Sequence, residues 1–224
     1  MNSVSYKSLL YDIATKMGHE PQTVFPMDTQ RMINTYINHA LESAWLSYLW
    51  PDLMRYSDTL TADDQGLIDL SAIDYGTVFA AYTQTPPPRT KQVYVIHGYY
   101  ENGSYWLPTG FSEAVLHYRL PYERFEGDVF IDSVSYQTGD QAYFTDEGNY
   151  KKYDADSNTW TVRQVPAIFS EYVRRHAYAN YLREQQRPQE AVSEESLAKI
   201  AIQKRISEIQ SQTGYVQQIR LQCH

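Results

Sequence analysis

The sequence predicts an α+β fold in which N- and C-terminal helices form a helical bundle and a β-rich region is inserted in the middle. Apolar residues recur at helical spacing near both ends of the chain, and β-favouring runs alternate with turn residues between them. The predicted bundle comprises residues 1–53 and 166–213, and the β-rich region comprises residues 54–165. Residues 133–164 are a candidate small β subdomain, and residues 214–224 form a C-terminal tail.

Four segments account for the predicted helices: residues 5–17, 29–48, 166–186 and 189–211. Each carries an apolar stripe with a period near 3.6 residues. The stripes consist of Leu9, Leu10, Ile13, Ala14 and Met17; of Ile33, Ile37, Ala40, Leu41, Ala44 and Trp45; of Phe169, Val173, Ala177 and Tyr181; and of Ala191, Ala198, Ile202, Ile206 and Ile209. We expect Asp28 to cap the second helix and Pro166 to occupy the first position of the third.

The middle region contains four clear runs of strand-forming residues: 66–70, 91–96, 114–118 and 141–144. Turn signals separate them. Asn102-Gly103 is typical of a tight hairpin turn, and the three prolines at 86–88 indicate an extended connection. These runs predict a sheet-forming region without assigning its strand order.

Composition excludes several classes of protein. The formal net charge of −8 disfavours tight, general binding of nucleic acid, because such binding depends on neutralising phosphates. Cys223 is the only cysteine, so no internal disulfide can form. We expect no secretion signal and no membrane helix, since no apolar run is long enough, and we therefore expect synthesis in a cytosol.

Residue patterns typical of catalytic or metal sites are weak. No pair of the six histidines has helical metal-ligand spacing. The segment Asp154-Ala-Asp156-Ser-Asn158 begins like a calcium-binding loop, but Thr159 and Val165 stand where that loop needs glycine and glutamate. We predict no enzyme activity, no catalytic residues, no bound metal and no cofactor.

A tyrosine-rich segment in the β region is the clearest candidate for a ligand or partner patch. Its members are Tyr136, Tyr143, Tyr150, Tyr153 and Trp160. Together with Gly139-Asp140 they resemble the small aromatic β module of chitin-binding type, although Ala142 replaces the usual valine. Two interpretations stay open: the rings stack on sugars, or they form the core of their own small sheet.

Motifs spread over most of the chain resemble the head-to-tail adaptor proteins of tailed bacteriophages. They are residues 40–45 (ALESAW) with 48–53 (YLWPDL), residues 105–108 (YWLP) with 115–121 (VLHYRLP), and residues 160–169 (WTVRQVPAIF) with 177–182 (AYANYL). Each motif is short, and their order along the chain carries the resemblance. Leu116 departs from the pattern, because a tryptophan is often seen at that place.

The resemblance implies a structural subunit of the virion neck, made in the host cytoplasm. It implies a homo-dodecameric ring under the portal protein, further neck or tail proteins as partners, and double-stranded DNA passing through without sequence-specific binding. No membrane partner is expected. The C-terminal tail would dock on the portal through Tyr215, Val216, Ile219 and Leu221, whose alternation allows an added strand. The alternative is a carbohydrate-binding module or glycan-active protein using the tyrosine-rich segment, and an enzyme ranks third.

Overall fold

The computed structural model of the 224-residue chain describes residues 2–20, 25–71, 73, 75–84, 95–101 and 103–213. It is a mixed α and β protein. The helices of the described residues are α1 (Tyr6–Lys16), α2 (Met27–Leu46), α3 (Ser170–Glu184) and α4 (Pro188–Thr213), with short 3-10 helices at Pro51–Leu53 and Ala167–Phe169. The strands are β1 (Ser3–Ser5), β2 (Met54–Thr61), β3 (Leu67–Asp69), β4 (Thr77–Tyr82), β5 (Val95–Ile96), β6 (Tyr99–Glu101), β7 (Ser104–Trp106), β8 (Glu113–Arg119), β9 (Gln141–Phe144), β10 (Asn149–Asp154), β11 (Thr159–Val162) and β12 (Gln164–Pro166).

The four predicted helices are confirmed, but two of their expected starts are wrong. Helix α2 begins at Met27, with Pro26 at its N-cap, so Asp28 lies in the first turn rather than at the cap. Pro166 ends strand β12, and a 3-10 turn precedes α3 at Ser170. Proline is compatible with a strand end because it needs to donate no ladder hydrogen bond there.

The predicted strand runs are confirmed where the structure describes them. Strands β3, β8 and β9 lie within or around residues 66–70, 114–118 and 141–144. Of the run 91–96 only Val95–Ile96 is described, as β5. The expected Asn102-Gly103 turn lies partly outside the described residues; Gly103 itself has a positive φ of 82°, which glycine adopts without strain.

The chain divides into two compact units. The first comprises Met1–Tyr48 and Arg124–His224, and the second comprises Leu49–Glu123. The predicted β-rich region, 54–165, is therefore split, and its part from Arg124 onward belongs to the unit that contains the helices.

In the first unit, α3 packs against α1, α2 and α4, and α1 packs against α2. The predicted apolar stripes supply the fully or almost fully buried residues Leu9, Leu10, Ile13, Ala14, Ile33, Ile37, Ala40, Leu41, Ala44, Phe169, Val173, Ala177, Ala191, Ala198 and Ile202. An antiparallel sheet of order β11-β10-β9 belongs to the same unit, and β1 pairs with β12. Burying these stripes drives the helices together.

In the second unit, two antiparallel sheets share one apolar core. Their strand orders are β2-β8-β4-β5 and β3-β7-β6. The buried core residues are Ile68, Leu70, Ala81, Ile96, Tyr105, Leu107, Ala114 and Leu116. Alternate residues of β8 supply the last two, as expected for a strand with one face on a core.

None of the helices described in the structure combines the length and apolar character needed to cross a membrane.

Candidate interaction surfaces

The β9-β10-β11 sheet has two aromatic faces of different character. Residues that pair directly across antiparallel strands lie on the same face, and neighbours along a strand lie on opposite faces. Tyr143 pairs with Tyr150, which puts both on one face. Tyr153 pairs with Trp160, and Phe144 lies one residue after Tyr143, so these three are on the other face. We call the faces the inner face and the outer face of the sheet.

The inner face packs into the first unit together with α1. Tyr6, Phe125, Tyr143 and Tyr150 form a cluster in which no ring is more than 3% exposed. The ring centroids of Tyr6 and Tyr150 are 5.0 Å apart at an interplanar angle of 89°, and Phe125 lies 5.0 Å from Tyr6. Such edge-to-face pairs are favourable beyond the area they bury. The inner face is therefore part of the core and offers no open surface.

Three amides on α2 hold the inner cluster by hydrogen bonds. They stand four residues apart and so share one side of the helix. The Gln30 side-chain amide donates to the hydroxyl oxygens of Tyr6 (3.1 Å) and Tyr150 (3.3 Å). The Asn34 amide donates to the Tyr150 hydroxyl (3.2 Å) and to the Phe125 carbonyl (2.9 Å). Asn38 both donates to the Phe125 carbonyl (2.9 Å) and accepts from its backbone N–H (2.8 Å).

Burial changes the acid–base behaviour of the inner tyrosines. It raises the pKa of Tyr143 to about 12, with the neighbouring Tyr150 hydroxyl adding to the effect. Burial also raises the pKa values of Tyr6 and Tyr150, and in both cases the Gln30 hydrogen bond opposes this. All three are therefore held in the neutral form, and the Tyr6 and Tyr150 hydroxyls act as acceptors in the buried network.

The outer face carries a stack of three aromatic rings that packs against Trp160. Phe130 lies between Phe144 (centroids 4.4 Å apart, 13°) and Tyr136 (5.7 Å, 20°). All three meet Trp160 close to perpendicular, at 81°, 70° and 80°. Tyr153 packs on the same indole at 5.0 Å. Their rings are only half-buried.

Two grooves border this ring stack. One has a volume of about 470 Å³ and runs along residues 126–129, with Tyr136 and Gln141 among its walls. The other, of about 360 Å³, is lined by Tyr136, Tyr153, Asn158 and Trp160 and by residues of the loop 130–135. Both share Val134, Ser135 and Tyr136, so they are adjacent.

Helix α4 has a second apolar stripe that faces away from the helix's buried side. Val192, Leu197 and Ile200 are 58%, 41% and 60% exposed. At 3.6 residues per turn they fall within an arc of about 140°, opposite to the buried Ala191 and Ala198. Serines 193 and 196 lie between them, so the stripe is narrow and uncharged at its centre. Exposed apolar patches of this kind mark protein contacts.

The second unit exposes aromatic rings of its own. Tyr56 stacks on His117 with centroids 4.5 Å apart, and Tyr99 stacks on Trp106 at 6.0 Å. Burial lowers the pKa of His117, which favours its neutral form. These pairs lie on different sheets of the unit.

The structure does not bring the five predicted aromatic patch residues together. Tyr136, Tyr153 and Trp160 meet on the outer face, whereas Tyr143 and Tyr150 are buried on the inner face. Because Trp160 packs against the rings of Phe130, Tyr136 and Phe144, the geometry favours the packing interpretation over sugar stacking. Phe130 and Phe144, which were not among the predicted patch residues, are as central to the outer cluster as the tyrosines.

The predicted tail residues and the calcium-loop-like turn at Asp154 offer no further described site. The portal-docking residues Tyr215, Val216, Ile219 and Leu221 lie outside the described residues. The Asp154 carboxylate caps its own turn, accepting from the Ser157 hydroxyl (2.7 Å) and the Asp156 N–H (3.1 Å). These hydrogen bonds lower the pKa of Asp154. Within the described ranges no group of three or more His, Cys, Asp or Glu side chains is placed to hold a metal ion.

No known family model matches the chain, and no curated protein matches it significantly.

Proposed function

We propose that this protein is a structural subunit of the head-to-tail adaptor ring of a tailed bacteriophage. The proposal rests first on the order of the sequence motifs that resemble such adaptors. It assigns the chain a role in assembly within the virion neck, with no catalytic step and no cofactor.

The finer architecture of the proposal is a helical bundle framing a DNA channel. Mutual packing of the helices α1, α2, α3 and α4 supports it. The acidic net charge of −8 suits a ring through which double-stranded DNA slides without sequence-specific binding, because like charges repel. The portal protein and further neck or tail proteins are the proposed partners.

The exposed stripe on α4 is the structural observation that best supports ring formation. Val192, Leu197 and Ile200 are available for a neighbouring subunit, and a heterologous contact that closes on itself generates a ring. In a closed ring each contact is repeated around the circle, so a small apolar stripe per subunit is sufficient.

Sedimentation of the full chain tests this assignment of the stripe. We expect self-association above the 26.1 kDa subunit mass, and its loss in the double variant Leu197→Ser/Ile200→Ser with an unchanged thermal melt. The matched control is Leu46→Ser/Phe111→Ser, which removes two exposed apolar side chains that lie outside α4. A full chain that is monomeric at every concentration, or α4 variants that associate as the control does, would contradict the assignment.

The tail is tested separately by truncation after Thr213. We propose that residues 214–224 dock on the portal, so the truncated subunit should fold normally but fail to join portal-bearing heads. Heads that acquire the truncated subunit at the usual level would exclude the tail as the anchor.

A further inference from the structure

The two grooves beside the outer ring stack have walls that are fixed before any ligand arrives. Val129 forms a parallel bridge with Tyr143, and the N–H groups of Phe130 and Tyr143 donate across it to the Tyr143 and Asp128 carbonyls, both at 3.0 Å. The Ile131 N–H donates to the Tyr136 hydroxyl at 3.0 Å. A preformed surface binds without first losing loop entropy, which favours affinity.

The loop between the grooves presents aliphatic side chains to solvent. Ile131 is 52% exposed and Val134 is 47% exposed, and a turn hydrogen bond from the Val134 N–H to the Ile131 carbonyl (3.0 Å) holds them. Val134 lines both grooves, and Ile131 lines the larger one. An occupant that covers these side chains removes apolar surface from water.

The charge of the grooves is negative. Glu126, Asp128 and Asp140 line the larger groove and Asp132 lines the smaller one, while no Lys, Arg or His is among the described residues lining either. Arg31 approaches Asp128 to 3.8 Å, but both side chains are mostly exposed, so this pair neutralises little. The complementary ligand is cationic.

The backbone conformation at the floor of the larger groove also restricts which residue can occupy position 127. Gly127 has a φ of +111°, and a Cβ at that position would lie 2.0 Å from the Gln141 carbonyl oxygen. The glycine therefore keeps the groove floor open and close to β9, where a larger residue would displace the strand.

From these features we propose that the two grooves bind an extended segment of a partner protein that carries Lys or Arg side chains next to aliphatic ones. Side chains of an extended segment alternate in direction, and those on one side recur about every 7 Å, so every second residue can reach the grooves. A small polyamine would satisfy the carboxylates but leave Ile131 and Val134 largely uncovered. This inference goes beyond the adaptor role and does not depend on it.

Calorimetry with a synthetic peptide tests the proposal on the full chain. The probe is Gly-Lys-Thr-Val-Thr-Arg-Thr-Ile-Gly, in which the basic and aliphatic side chains share one side of the extended chain, and the control peptide has glutamate in place of each basic residue. We expect the basic peptide alone to bind and to shift the NMR amide signals of residues 126–141. Glu126→Gln/Asp128→Asn should weaken binding about five- to tenfold, and raised salt should weaken it further.

Two further variants keep the result decisive. Asp64→Asn/Glu113→Gln makes the same change of net charge on exposed carboxylates of the second unit and should leave the affinity unchanged. Val134→Ser should weaken binding of the basic peptide while leaving the melting temperature of the protein unchanged. The proposal is overturned if neither peptide binds, if both bind equally, if the groove variants bind as the control variant does, or if spermidine binds as tightly as the peptide.

Discussion

The two faces of the β9-β10-β11 sheet carry similar aromatic side chains in different surroundings. On the inner face Tyr143 and Tyr150 are each 3% exposed and pack with Tyr6, and the Tyr150 hydroxyl accepts hydrogen bonds from amides of α2. On the outer face Tyr153 and Trp160 are half-buried and pack on each other and on Tyr136. One face therefore attaches the sheet to the helices, and the other leaves surface available for a partner.

Aromatic content alone therefore does not identify a binding patch. Burial, hydrogen bonding and ring orientation decide whether a tyrosine stabilises the fold or faces a ligand. The contacts of the inner face also bear on the expected independence of residues 133–164, since this segment shares its core with α1 and α2.

Truncating one ring on each face should give the largest difference. Tyr150→Ala should destabilise the protein by about 3 to 5 kcal/mol, because it leaves a cavity and removes an acceptor from the buried Gln30 amide and the partly buried Asn34 amide. Trp160→Ala should lower the free energy of unfolding by about 1 to 3 kcal/mol, since the rings of the outer cluster are only half-buried. Urea unfolding followed by circular dichroism measures both, with the exposed Tyr100→Ala as control. An equal or larger loss for Trp160→Ala would reverse the comparison.

Alkaline pH should lower the stability of the protein through deprotonation of Tyr143 on the inner face. The pKa of Tyr143 is about 12 in the folded state and 10.0 ordinarily, so the unfolded chain loses this proton first. Its contribution to stability is complete below pH 10 and is lost as the pH rises towards 12, by about 2 to 3 kcal/mol. Urea midpoints between pH 8 and 12 should therefore fall less steeply for Tyr143→Phe than for Tyr136→Phe. Parallel curves for the two variants would show that burial does not hold the Tyr143 proton.

Removing single hydroxyls should give a smaller contrast. Tyr150→Phe leaves the Gln30 amide without one acceptor and the Asn34 amide without one of two, and should cost about 1 to 3 kcal/mol. Tyr153→Phe removes a hydrogen bond to the exposed Asn158, at 2.7 Å, and should cost less than about 1 kcal/mol. Matching melting temperatures for the two phenylalanine variants would mean that the buried network adds no net stability.

The smallest effect is expected from the ion pair on the outer side. Lys151 pairs with Glu147 at 2.5 Å, and its ammonium lies 4.3 Å from the centroid of Phe144. Because Glu147 is about half exposed, Glu147→Gln should change stability by less than about 1 kcal/mol. The loss should shrink further in high salt, and a salt-independent effect would point to a structural role of the carboxylate instead.

The spacing of apolar residues predicted the helices and several strands well, because this periodicity depends only on residues that are close together in the sequence. The stripe from Ile33 to Ala44 is buried as expected. The split of the aromatic set was also accessible in part: Tyr150 and Tyr153 stand three residues apart, and in a strand an odd spacing puts side chains on opposite faces.

Long-range arrangement was not accessible from local pattern. No residue pattern near Ser3–Ser5 predicts that this segment pairs with Gln164–Pro166. Likewise, no residue pattern around Phe125 predicts that the Asn38 side chain forms hydrogen bonds with the Phe125 backbone. The period of Gln30, Asn34 and Asn38 was visible, but buried amides are less common than exposed ones, so their role required the tertiary contacts. The grooves likewise depend on a loop held against β9.

The most direct test of the proposed neck function is the copy number of this chain in purified virus particles. Quantitative mass spectrometry of particles that encode it should find the chain present in the same number of copies as the portal protein, as expected for one ring stacked on another. Its absence from intact particles, or its presence only in lysates of infected cells, would contradict the assignment to the neck.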